Sequence, residues 1–112
     1  MLKEYYEIIN LAKNEPTTLR GIVAKIAILE CAAGWNVNDS PDIFEVSLEK
    51  KFNADVDYLT STNWDLNQLQ GELMGAKKKY YEWSNPDLRE PWEKYPNRLA
   101  TLQTHPELEG II

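Results

Sequence analysis

The chain has 112 residues, one cysteine, one histidine and a formal net charge of −6, with 43% hydrophobic and 27% charged residues. That is one ordinary globular domain's worth of sequence, and the single thiol excludes an internal disulfide framework. The longest apolar run, Ile26 to Leu29, is far short of the ~20 residues of a membrane span, and "MLKEYYEIIN" lacks the apolar centre of a secretory signal, so no membrane association is expected.

The excess charge is unevenly placed. Residues 1–34 and 77–112 are each neutral. Residues 35–76 set Lys50 and Lys51 against Asp39, Asp42, Glu45, Glu49, Asp55, Asp57, Asp65 and Glu72, net −6. A field of that sign repels nucleic acid and favours a basic partner.

Taken in chain order, Leu2 to Asn14 places Leu2, Tyr5, Tyr6, Ile9 and Ala12 at helical spacing, and Pro16 ends the pattern. A second helix starts after Thr17, a suitable cap, and stops at Gly34. It carries Leu19, Ile22, Val23, Ile26, Ala27, Leu29, Ala32 and Ala33 around most of its circumference. A helix apolar on so many sides belongs at the centre of a bundle.

The third segment opens with Ser40, Pro41 and Asp42, which are respectively a cap, a first-turn proline and an anion at the positive helix end. Phe44, Leu48 and Phe52 then recur at i, i+4 and i+8. The alternation of Phe44, Val46 and Leu48 with Glu45, Ser47 and Glu49 also suits a half-buried strand. An α+β fold with one or two short strands around residues 43–60 is therefore the alternative to an all-helical one.

Thr62 and Asp65, three apart, resemble a capping box for a fourth helix. Along it Leu66, Leu69, Leu73, Ala76, Tyr80 and Trp83 form a core-facing stripe. Lys77, Lys78 and Lys79 complement its negative carboxy-terminal end. Gly71 and Gly75 lie four apart inside this helix, where each costs roughly 1 kcal/mol against alanine. The expected reason is close approach of another helix or of a partner. Pro86, Pro91 and Pro96 then forbid a long helix, although Arg98 to Thr104 can make a short one. The expected fold is all-α, a small bundle of about four helices over residues 1–84, with an irregular proline-rich arm over 85–112.

Catalytic signals are weak. His105, before Pro106, is expected as an exposed tail histidine, and Cys31, on the apolar second helix, as a structural thiol. Asn53, Asp55 and Asp57 match positions 1, 3 and 5 of a calcium loop. Tyr58 stands where that loop needs glycine, however, and Trp64 where it needs glutamate. One cysteine and one histidine make no closed zinc site, and the five glycines form no phosphate loop. Neither a metal nor a cofactor is expected.

The stretch "KKKYYEWSNPDLREPWEKYP" interleaves lysines with aromatics as a single-strand nucleic acid site would. Tyr80 and Trp83 belong to the core stripe, though, and Glu82, Asp87, Glu90 and Glu93 surround the remainder. The segment after the second helix is acidic where a recognition helix would present basic or amide side chains to DNA. Direct nucleic acid binding is therefore not expected.

Four tryptophans and six tyrosines exceed what a small core readily hides, and both residue types anchor interfaces. The expectation is a non-enzymatic protein-interaction domain in the cytoplasm, or in a host cytoplasm, that binds another protein or copies of itself. Tyr81, Trp92, Tyr95, Gly71 and Gly75 are its candidate contacts. The lysine-rich composition suits an accessory or structural protein of a phage or mobile element. The alternative is an acidic inhibitor that imitates nucleic acid through Asp39, Asp42, Glu45, Glu49, Asp55 and Asp57.

Overall fold

The computed structural model describes residues 2–35, 38–84 and 96–112, without the side chains of residues 2, 83, 84 and 96–99. The elements are α1 (Leu2–Asn14), α2 (Leu19–Gly34), α3 (Pro41–Ser61), α4 (Leu66–Ser84), α5 (Pro96–Thr104) and a 3-10 turn, Pro106–Leu108. The fold is an all-α bundle. No strand occurs among the described residues, and α3 runs through the whole 43–60 segment. There Phe44, Leu48 and Phe52 point inward together, as the i, i+4, i+8 spacing requires.

Helix α2 is the axis of the bundle and packs on α1, α3, α4 and α5. Nine of its sixteen residues are buried, from Gly21 through Ala32, which is why its apolar character wraps most of its circumference. The cap is Thr18 rather than Thr17. Its hydroxyl accepts from the Gly21 N–H at 3.1 Å and donates to the Glu15 carbonyl at 3.1 Å. This turn brings α1 and α2 so close that a Cβ on Gly21 would collide with the Glu15 carbonyl oxygen. Facing α2, helix α1 buries Tyr5, Ile8, Ile9 and Ala12. Tyr6, expected on the same face, is 47% exposed instead, because the buried stripe is centred on Tyr5 and Ala12 and Tyr6 lies one 100° step to its side.

The third and fourth helices meet differently from the sequence expectation. Helix α3 continues to Ser61, so Thr62 closes it by donating its hydroxyl to the Tyr58 carbonyl at 2.9 Å. Asn63 follows at a positive φ of 57°, a conformation that asparagine tolerates better than most residues. The capping box of α4 then falls three residues later. The Gln68 N–H donates to Asp65 Oδ1 at 2.8 Å, and the Asp65 N–H donates to Gln68 Oε1 at 3.0 Å. Helix α4 packs on α2 through buried Leu69, Leu73, Ala76 and Tyr80, whereas Leu66, expected in that stripe, lies 49% exposed.

The carboxy-terminal segment departs most from expectation. Its described part, residues 96–112, is not an irregular arm. Pro96 opens α5, where its missing N–H has no helical partner to lose. Thr101, His105 and Leu108 are then buried, and Ala100, Leu102, Ile111 and Ile112 pack against the core.

Candidate interaction surface

The outward face of α4 is assembled from the residues that the core stripe leaves over. With Leu69, Leu73, Ala76 and Tyr80 inward, the 100° step per residue turns Leu66, Gln70, Met74 and Tyr81 to one outer flank and Gly71 and Gly75 to the middle of the solvent side. Met74 is 71% exposed, Tyr81 64% and Leu66 49%. The Tyr81 ring meets Tyr80 edge-on at 5.7 Å. A Cβ built on Gly71 or Gly75 would meet nothing within 4 Å. The close approach expected at these two glycines is thus not made inside the chain, and both sit on open helix surface. Trp92 and Tyr95, the other aromatic candidates, lie outside the described residues.

The six carboxylates of the acidic alternative do not share one surface. Asp42 and Asp57 are exposed and Asp39 is half-buried. Glu45 turns toward His105, with Oε1 at 3.8 Å from Nδ1. Glu49 is 8% exposed, and its Oε1 finds no hydrogen-bond partner among the described residues. Asp55 shares Lys51 with Glu30. The ammonium lies 2.6 Å from Glu30 Oε2 and 3.2 Å from Asp55 Oδ2. Burial raises the Asp55 carboxyl above its usual range, and the Lys51 charge opposes that rise.

His105 is buried, not exposed on a tail, with 2% of its surface accessible. Its ring lies 4.9 Å from that of Phe44, 5.5 Å from Tyr5 and 6.2 Å from Trp35. The Tyr5 hydroxyl donates to Glu107 Oε1 at 2.6 Å and stands 3.1 Å from His105 Nδ1. A phenol has one proton, so with that proton on Glu107 the second contact is Nδ1–H donating to the Tyr5 oxygen. Burial, followed by the bond to Glu107, pushes the Tyr5 phenol far above its ordinary value. Nothing local in the sequence signals this cluster, because Tyr5 and His105 are a hundred residues apart. It ties the two ends of the chain together, and an imidazole so enclosed offers no ring nitrogen to a substrate.

Cys31 is half-buried, and burial pushes its thiol up to about 11, which leaves it a poor nucleophile at neutral pH. A cleft of about 460 Å³ opens between α1 and the start of α2. Glu4, Glu7, Asn14 and Asn53 line it, and the Arg20 guanidinium there lies 5.8 Å from the Phe52 ring centroid. A smaller cleft of about 240 Å³ holds the Lys51 ion pairs beside Tyr58 and Trp64. Neither cleft brings a nucleophile together with a base. No three His, Cys, Asp or Glu side chains among the described residues are grouped to hold a metal ion, and no described helix is long and apolar enough to cross a membrane.

Fold and surface together define a small all-α bundle with Leu66, Met74 and Tyr81 exposed along one helix. No family model matches this chain, and no curated protein or solved structure is detectably similar to it.

Proposed function

We propose that this chain is a non-enzymatic protein-interaction domain and that the outer face of α4 is its docking surface. The observation that carries the reading is the exposure of Met74, Tyr81 and Leu66 on one helix, beside two glycines that no internal contact requires. Scattered single apolar residues on a surface need no explanation, but a stripe of them along one helix is the form in which helices dock. A cytoplasmic setting, with the single thiol kept reduced, goes with this reading, as does an accessory role in a phage or mobile element.

The nucleic acid mimic has less support, since Glu45, Glu49 and Asp55 are turned into the fold or paired there.

The test uses the immobilised wild-type chain and a Leu66→Lys/Met74→Lys variant, each challenged with lysate of the source cell. The wild type is expected to retain a partner that the variant loses by about tenfold or more, with little dependence on salt. Equal retention by both, or retention that collapses with moderate salt, overturns the reading.

A further inference from the structure

Where α2, α3 and α4 meet, the cleft of about 240 Å³ brings two aromatic rings together with carboxylates. Tyr58, near the end of α3, and Trp64, in the turn before α4, both line it. Their rings lie 6.4 Å apart and are inclined at 55°, so they do not stack face to face, and Tyr58 is 59% exposed. Glu30, Asp55 and Glu72 set three carboxylates against the ammonium of Lys51, so the cleft stays anionic after that lysine is counted. Lys51 is already committed, at 2.6 Å from Glu30 and 3.2 Å from Asp55. Glu72 is exposed and makes no ion pair among the described residues.

We infer that this cleft receives an arginine side chain of a basic partner protein, its guanidinium packed on the Tyr58 and Trp64 rings and paired with Glu72. An anionic lining repels acidic groups and leaves the aromatic surface to a cation, which the negative face of a ring attracts. Guanidinium suits both kinds of lining at once. It is planar, stacks on aromatic faces and meets a carboxylate through two parallel N–H bonds, whereas an ammonium is a compact, strongly hydrated charge.

Size and field agree with that occupant. A cleft of about 240 Å³ is below the ~300–1,000 Å³ of sites that enclose whole small molecules, and suits one side chain. Asp55, Tyr58, Trp64 and Glu72 all fall within residues 35–76, which hold the entire net charge of −6 and so draw a basic partner toward this side of the molecule. The site is separate from the Leu66–Met74 flank. Glu72 precedes Met74 by two residues, which sets it about 160° away around α4, so either surface can be tested without the other.

One side chain makes a weak ligand, with a dissociation constant on the order of 10 mM, so the probe is used at high concentration. The probe is the blocked tripeptide acetyl-Gly-Arg-Gly-amide. Its control carries citrulline, the neutral isostere of arginine. Each is titrated into the isotope-labelled full chain, and backbone amide and indole resonances are followed by NMR.

The arginine peptide is expected to shift the Trp64 indole N–H and the amides of residues 58–64 saturably, and to bind about fivefold or more tighter than the citrulline peptide. Glu72→Gln is expected to weaken it about two- to fivefold, the loss of one exposed ion pair. Trp64→Leu is expected to abolish saturation, and Met74→Lys to bind as the wild type does, with the amide spectrum confirming that each variant is folded. Equal binding of the two peptides overturns the inference. So does an arginine response that Glu72→Gln and Trp64→Leu leave unchanged, or one that Met74→Lys removes.

Discussion

Tyr5 shows how a single side chain can hold distant parts of this chain together. Its ring is wholly buried, its hydroxyl proton goes to Glu107, and its oxygen sits beside His105 Nδ1. Burial and the neighbouring carboxylate both favour the neutral phenol, so its pKa in the folded state lies above that of the unfolded chain. A group raised in this way contributes stability that is fully present below its unfolded pKa of about 10 and is lost as pH climbs beyond that value. The melting temperature is therefore expected to fall above pH ~10, and more steeply in the wild type than in Tyr5→Phe, which has no phenol to ionise. Parallel pH–melting curves for the two proteins across that range would remove Tyr5 as the cause. At neutral pH Tyr5→Phe should already be less stable by about 1–3 kcal/mol, because Glu107 and the buried imidazole each lose a partner.

Among the helices, α4 is the one whose sequence departs from what its own stability would favour. Two interior glycines cost it roughly 1 kcal/mol each, and no neighbouring atom would obstruct a methyl group at either position. Gly71→Ala and Gly75→Ala are accordingly expected to stabilise the folded chain by roughly 0.5–1 kcal/mol each, measured by urea denaturation. If the glycines serve a docked helix, the same substitutions weaken association, so stability and binding move in opposite directions. Destabilisation by either alanine would mean that the glycines are needed inside the chain, contrary to the open surface seen around them. The remaining helices are locally consistent. The Asp65–Gln68 box opens α4, Thr18 opens α2, and the broad apolar surface of α2 meets neighbours on most sides.

For the molecule as a whole, the carboxy-terminal segment completes the core. Leu108 has no exposed surface and belongs to the same hydrophobic cluster as Tyr5, Leu48 and Leu69. Leu108→Ala is expected to cost about 2–5 kcal/mol, as for any fully buried leucine, and to match Leu48→Ala in chemical denaturation. A cost below ~1 kcal/mol would mean that the segment only rests on the bundle. Such a result would restore the arm expected from the prolines.

The limits of inference from sequence follow from this placement. Helices α1 to α4 were legible because their apolar residues repeat at the period of the helix and their ends carry caps and prolines, all of which are local signals. The central role of α2 was legible for the same reason, from the breadth of its apolar surface. The burial of His105 was not, nor were the Lys51 ion pairs or the inward turn of Glu45 and Glu49, because each depends on residues that meet only when the chain closes. Leu66 and Gly71 show this most clearly. A stripe at helical spacing marks which residues share a side of α4, but where that stripe ends and which glycines face open space depend on where α2 lies. Chemistry along the chain thus established a helical bundle rich in interface-forming residues. Packing, which is non-local, decided that Leu66, Met74, Gly71 and Gly75 stay on the outside of α4.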